Sequence, residues 1–391
     1  NTIFNSGTVS GFIYGRINGD ADSSGGFNTI TSSGSVHSIF GGFNSGSSSI
    51  GGSNTISNSG SVSGDIYGSY NTGDGSSGGS NTISSSVAFS GGIFGTYNRG
   101  NSSSGGSNTI SSSGSVKNIY GSYNYGIGSS GGSNTISSSG SASQDLCGSY
   151  NYGSGSSGGS NTISNSGSVS RHISGSYNLG NNSSGGSSTI INSGTVSGDI
   201  FGSFNLGTGS SGGSNTITNS GSVLAIFGSY NTGSGSSGGF NTITNTGSVS
   251  GNIYGSDNSS TGSSGGSNTI IHSGYVGGSI YGGDSNNTII LVGGSTLIGI
   301  ADGGGGSNNT LGFNNMGTVD VSLLGTKFLH FQNLGIYGGN TTLNGTWDFS
   351  GGSATIEKGN LYVDGSLQTG LLTVESTGLL GGNGSIFGGV V

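Results

Sequence analysis

The chain repeats itself every 26 or 27 residues. Asn54-Thr55-Ile56-Ser57-Asn58-Ser59-Gly60-Ser61-Val62, with its continuation Asp65-Ile66-Tyr67-Gly68-Ser69-Tyr70-Asn71, recurs almost to residue 290. The residue opening each copy is Asn1, Asn28, Asn54, Asn81, Asn108, Asn134, Asn161, Ser188, Asn215, Asn241 and Asn268. A period this regular demands an architecture in which each copy stacks on its neighbours.

Three columns of the repeat are apolar. The first is Ile3, Ile30, Ile56, Ile83, Ile110, Ile136 and their successors to Ile270. The second runs from Val9, Val36 and Val62 to Val276, with Phe89 and Ala142 as its exceptions. The third runs from Ile13, Ile39 and Ile66 to Ile280, with Leu146 once. No copy has the i, i+3, i+4, i+7 spacing of an amphipathic helix. The 91 Gly would each cost a helix about 1 kcal/mol relative to Ala. Short strands joined by tight turns remain.

Two irregularities support strands. The shorter copies, from Asn28, Asn108 and Asn215, lose their residue between the second and third columns, as in Val36 to Ile39, which predicts a turn there. Between Asn268 and Asn287 the copy instead lacks its Gly-Ser-Ser-Gly-Gly loop. That predicts a loop projecting from one edge and dispensable for folding. The expected fold is an all-β, single-stranded, right-handed parallel β-helix (β-solenoid) with 26–27-residue repeats and shorter rungs in the C-terminal part. Residues 1–286 form the regular repeats and 287–391 a less regular continuation. About 15 or more rungs at ~4.8 Å each predict a rod of roughly 70–80 Å.

Composition alone would suggest disorder, with 28% hydrophobic and 5% charged residues. Fixed apolar columns override that reading, because sparse anchors in register build one continuous core. The absence of Pro suits a backbone whose N–H groups pair between rungs. A net charge of −8 with Lys+Arg 6 argues against nucleic acid or an anionic membrane as partner. No run of 18 apolar residues offers a membrane-spanning helix. Asn1 opens in phase with the repeat, which reads as a processed product.

The last part keeps alternating strands between turns such as Asn344-Gly345 and Asp364-Gly365. Its segments are Phe328-Leu329-His330-Phe331-Gln332-Asn333-Leu334, Leu343-Asn344-Gly345-Thr346-Trp347, Gly359-Asn360-Leu361-Tyr362-Val363-Asp364-Gly365-Ser366-Leu367, and Leu372-Thr373-Val374 through Leu379 to Ile386. Over residues 319–391 these resemble the distal passenger region of bacterial autotransporters (type V secretion). The resemblance implies a right-handed β-helix exported to a bacterial surface. It departs from the family in stopping at Val391, with neither a linker helix nor an outer-membrane barrel. Residues 1–286 resemble adhesin-type β-solenoid repeats more generally.

No catalytic constellation stands out. Asp65, Asp145 and Asp199 share a column but lie on non-adjacent rungs, so they read as turn residues. Asp20 and Asp22 read as loop residues, with a weak cation site as the other reading. His37, His172, His272 and His330 show no ligand spacing, and Arg16, Arg99 and Arg171 stand apart. Cys147 sits in a column of Tyr and Phe and reads as packing. The expectation is no enzyme, no cofactor and no catalytic or metal site.

Ladders are the stronger signal. A second Asn column, Asn18, Asn44, Asn71, Asn98 and onward to Asn258, should hydrogen-bond side chain to side chain. One aromatic column holds Phe43, Tyr70, Tyr97, Tyr123, Tyr150, Tyr177, Phe204 and Tyr230. Another holds Tyr14, Phe40, Tyr67, Phe94, Tyr120, Phe201, Phe227, Tyr254 and Tyr281. Period-2 alternation turns Tyr67 away from the core, either toward a lateral contact or under the Ser/Gly loop. The expected function is a non-enzymatic extracellular structural and adhesive rod on a bacterial surface, the passenger or stalk of an autotransporter-like protein. Its partners would be other copies, end to end or laterally, or a receptor on a host or neighbouring cell. The alternative is a secreted subunit stacking end to end into a filament, since neither terminal rung carries a polar cap.

Overall fold

The computed structural model describes residues 1–391 and is an all-β parallel β-solenoid with a repeat spacing near 27 residues. It has about 13 turns in which both main faces carry a strand. After Phe328–Leu329 come the short strands Asn333–Gly338 and Asn340–Asn344, and from Thr346 the chain continues in long strands that span more than one face, which is where the count departs from the 15 or more rungs expected. The one helical element is a single 3₁₀ turn, Val321–Leu323. Contacts divide the chain into two units. The first is Asn1–Ile217 with Ser229–Gly239 and Ser259–Ser264, and the second holds the remaining residues to Val391.

In the first unit each coil has up to four faces. The first face is the five-residue strand of the Asn-Thr-Ile motif, such as Asn134–Ser138. It pairs in parallel with Asn161–Asn165, residue for residue, Ile136 beside Ile163. The second face is a two-residue bridge, such as Ser141–Ala142. The third is a six-residue strand, such as Leu146–Asn151. The fourth is another two-residue bridge, Ser157–Gly158. In the first two copies the strands Thr8–Asn18 and Ser35–Asn44 run through from second face to third. The turn expected between Val36 and Ile39 is therefore absent, although the chain does break between Val116 and Ile119.

The three apolar columns line the interior. Ile56, Ile83, Ile110, Ile136 and Ile163 are at most 1% exposed, and so are Ile66, Ile93, Ile119 and Leu146. Each buried aliphatic side chain stabilises the fold by about 1.5–3 kcal/mol, which lets so few of them hold so polar a chain.

The loop expected to project is instead part of the wall. Ser77–Gly78, Ser104–Gly105, Ser130–Gly131, Ser157–Gly158 and Ser184–Gly185 form their own parallel ladder. The preceding Ser column (Ser76, Ser103, Ser129, Ser156) is fully buried. Ser156 Oγ donates to Gly126 O one turn back at 3.0 Å. One loop position needs a left-handed backbone: Gly75 and Gly155 hold it at φ +68°, and Asp22 at +57°. Gly is at home there, and short polar residues tolerate it. Asp22 thus holds the left-handed turn within that loop.

In the second unit the first face continues from Asn241–Asn245 through Thr269–His272, Thr288–Val292, Thr310–Asn314 and Asn333–Gly338. Ile270, Ile289, Leu311 and Leu334 stack in one column. The composition change at Asn287 falls inside this unit. Beyond it, Thr346–Val363 and Ser366–Gly381 span 18 and 16 residues. Larger side chains fill the interior here: Trp347 and Phe313 are wholly buried and meet edge to face, with centroids 6.1 Å apart.

Candidate functional site

Most polar side chains inside the coil serve the coil. In the third-face column Asn44 Nδ2 donates to Asn71 Oδ1 at 2.7 Å, Asn71 to Asn98 at 2.7 Å, and Asn124 to Asn151 at 2.7 Å. The second amide hydrogen reaches the Ser-Gly ladder, as in Asn124 Nδ2 to Ser157 O at 3.2 Å. These amides are buried, where unpaired groups are costly, so the ladder satisfies them turn by turn.

Sequence reasoning assigned no such role to the opening Asn column, yet it forms an equal ladder. Asn54 Nδ2 donates to Asn81 Oδ1 at 2.8 Å and across the coil to Gly68 O at 3.1 Å. A Cβ on Gly68 would sit 2.5 Å from the Asn81 Cβ, so this glycine is needed for the crossing. The recurrence of Asn-Thr-Ile, with Ser188 as the one replacement of the Asn before residue 287, is the available signal. A third ladder also escaped notice, with Asn165 donating to Asn192 at 2.9 Å and Asn219 to Asn245 at 2.8 Å.

The aromatic columns decorate the outside of the third face. The Ser-Gly ladder packs behind that strand, because a Cβ on Gly78 would meet Ser69, so the loop does not cover the rings. The rings cover one another. Phe40 stacks on Tyr67 at 4.8 Å and Tyr67 on Phe94 at 5.0 Å, while Tyr70 stacks on Tyr97 at 4.9 Å. Between columns the planes are nearly perpendicular, as in Tyr67–Tyr70 at 5.1 Å and 85°. The result is a herringbone of half-buried rings, in both of the geometries aromatic pairs favour. Burial pushes the Tyr67 phenol well above its ordinary range, helped by the Asp65 carboxylate, and pushes Tyr97 up to about 12. Tyr67 donates its hydroxyl to Asp65 Oδ2 at 2.9 Å, and Asp65 Oδ1 accepts the Gly92 N–H at 2.7 Å. Asp65 thus ties a turn to the next and anchors a ring.

The herringbone is interrupted once in the first unit. Cys147 and Ser174 replace two successive rings between Tyr120 and Phe201, leaving a pocket of about 230 Å³. Tyr150, Tyr177 and Phe204 form its back wall, and Gln144, Asp145, Arg171 and His172 line its side. Cys147 is buried in the floor, where desolvation raises its thiol pKa well above the ordinary range. Asp145 Oδ1 accepts the His172 N–H at 3.3 Å, repeating the Asp65 contact. Its Oδ2 faces an exposed Arg171 Nη1 at 3.3 Å. His172 lies 3.8 Å from Asp199 and tilts against Phe201 with centroids 5.6 Å apart.

The sequence reads Asp145 and Asp199 as turn residues on non-adjacent rungs, and the four His as lacking ligand spacing. The 27-residue period places His172 between them on the intervening turn. The other candidates stay dispersed. Asp20 contributes its backbone carbonyl, to Ser23 and Ser49 at 2.8 Å each. His37 meets Ser63 Oγ at 2.8 Å, and Arg16 meets Asn18 Oδ1 at 2.6 Å. Arg99 lies beside the stripe near Tyr97. His272 is fully buried, with Nε2 3.0 Å from Thr296 O, and burial lowers its pKa. His330 Nδ1 lies 2.7 Å from Asp302 Oδ1. Among the described residues no three His, Cys, Asp or Glu side chains gather as metal ligands. Among the described residues no helix is long and apolar enough to cross a membrane. Compared with known protein families, curated proteins and solved structures, the chain matches none of them.

Proposed function

We propose that the chain is a non-enzymatic structural and adhesive rod displayed outside a bacterial cell, the passenger or stalk of an autotransporter-like protein. The observation that carries this reading is the use made of the polar side chains. Buried Asn amides are spent on turn-to-turn ladders and the outer phenols on a herringbone, so chemistry-bearing groups serve persistence of the coil. Turn-to-turn pairing of this kind holds the coil together through its own side chains, which suits a rod exposed outside the cell. The resemblance of residues 319–391 to autotransporter passengers points the same way. Adhesion would act through the outer stripe and the exposed Thr and Ser of the first face, such as Thr135 and Thr162.

Antibodies against residues 1–286, applied to intact cells that make the protein, test this reading. Labelling of unpermeabilised cells, abolished by external protease, is the expected result. Labelling that appears only after lysis would overturn it. On the same material, sedimentation separates a monomeric passenger from an end-to-end filament.

A further inference from the structure

We infer that the notch at Cys147 is a binding site for one phenolic ring, stacked on Tyr120 with its hydroxyl hydrogen-bonded to Asp145. The protein supplies the template three turns earlier. There Asp65 precedes Ile66 and Tyr67, and the Tyr67 hydroxyl reaches Asp65 Oδ2 at 2.9 Å. At the notch Asp145 precedes Leu146 and Cys147, so carboxylate and strand are retained and the ring is gone.

The retained parts match closely. Asp145 Oδ1 takes the next turn's backbone N–H, from His172, as Asp65 Oδ1 takes that of Gly92. That contact leaves Oδ2 facing the vacancy, with only the exposed Arg171 at 3.3 Å. A carboxylate oxygen has lone pairs for both the guanidinium and a phenol. Tyr120 stacks on Phe94 with one face, at 5.3 Å, and turns its other face toward the Cys147 level. Tyr150 and Tyr177 keep their own stack unbroken behind the gap, 4.9 Å apart and 7° from parallel. His172, tilted over Phe201, takes part of the second vacancy, the one at Ser174. What remains is a space for one ring. A volume of about 230 Å³ is below the usual range of drug-sized pockets, roughly 300–1,000 Å³, and suits a small aromatic compound.

The selectivity follows from chemistry. Stacking alone would accept any flat ring. Asp145 adds a charge-assisted acceptor that a phenol satisfies and a benzene ring does not. The notch lies within the stripe proposed for adhesion, but its binding of a small phenol is read on the isolated chain and does not depend on that role.

Calorimetric titration of the full chain with N-acetyl-tyrosinamide, N-acetyl-phenylalaninamide and p-cresol tests the inference. We expect saturable binding of the tyrosine amide at least about tenfold tighter than the phenylalanine amide. Binding of p-cresol as tight as that of the tyrosine amide would identify a free phenol as sufficient, and weaker binding a tyrosyl group as the ligand. Cys147→Tyr should restore the missing ring and abolish binding of all three. Asp145→Ala should erase the tyrosine-over-phenylalanine preference while leaving the phenylalanine amide's affinity unchanged. No saturable binding to the unsubstituted chain, equal affinity for the two amides, or undiminished binding to folded Cys147→Tyr would each overturn the proposal.

Discussion

Asn151 shows how much of this fold rests on single amides. It accepts from Asn124 and donates to Asn178 at 2.7 Å each, and its second hydrogen reaches Ser184 O at 3.2 Å. Replacing it by Leu orphans a donor above and acceptors below, at about 1–3 kcal/mol for each buried group left unpaired. Asn151→Leu should therefore lower the urea midpoint well beyond Thr135→Leu, a change on the exposed side of the first face. Equal midpoints would show that the ladder contributes little. Gly121→Ala should be comparably damaging, because a Cβ there would lie 2.5 Å from both the Asn134 Cβ and Gly148 O. The Asn18-to-Asn258 ladder was legible as a column of amides at one-rung spacing. The bond from Asn54 across the coil to Gly68 was not, since nothing in a one-dimensional period tells which faces of a coil approach each other.

At the scale of the element, the two-residue Ser-Gly strands were the hardest to read. Gly and Ser are poor strand formers, and the copy between Asn268 and Asn287 closes without them. That copy closes because Asp284 replaces the lost partner, accepting from Asn258 Nδ2 at 2.7 Å, while Asn287 Nδ2 reaches Gly283 O. A mid-repeat deletion has no such substitute. Excising Gly153 to Gly159 removes Ser156 from the interior and Ser157 from its bonds to Asn124 and to the neighbouring ladder strands. We expect a lower, broader melting transition, and an unchanged one would return the loop to the dispensable excursion its sequence suggests. The aromatic stripe has its own signature. The Tyr97 phenol titrates near 12 in the folded chain against 10.0 ordinarily, because burial disfavours the phenolate. Between those values the folded state keeps a proton that the unfolded chain releases. Stability contributed by Tyr97 is thus complete below pH 10 and falls as pH rises toward 12. Tyr97→Phe should flatten that alkaline loss, and urea midpoints of both proteins across pH 9–12 check it.

For the whole molecule, cooperativity passes from turn to turn. Ile136 is buried between Ile110 and Ile163, so Ile136→Asp places an unpaired charge in the column and should cost several kcal/mol. Because each repeat is stabilised chiefly by its neighbours, hydrogen exchange should rise in the flanking turns together rather than at one strand. The parallel coil was legible from three apolar columns and a constant period, since both fix register without long-range information. The change to long C-terminal strands was not, because residues after Asn287 abandon the period that made the rest readable.

The central claim is that residues one repeat apart lie side by side, in parallel and in register. Thr135 and Thr162 are exposed partners on the first face, and Thr189 is the next in line. In a Cys147→Ser background, cysteines at Thr135 and Thr162 would have Cα atoms about 4.8 Å apart, within disulfide reach, while Thr135 and Thr189 would be roughly twice that. Mild oxidation followed by mass spectrometry of the monomer should find a near-complete intramolecular disulfide in the first pair and almost none in the second. Failure of the first pair to cross-link, or equal cross-linking of both, would contradict the parallel in-register coil.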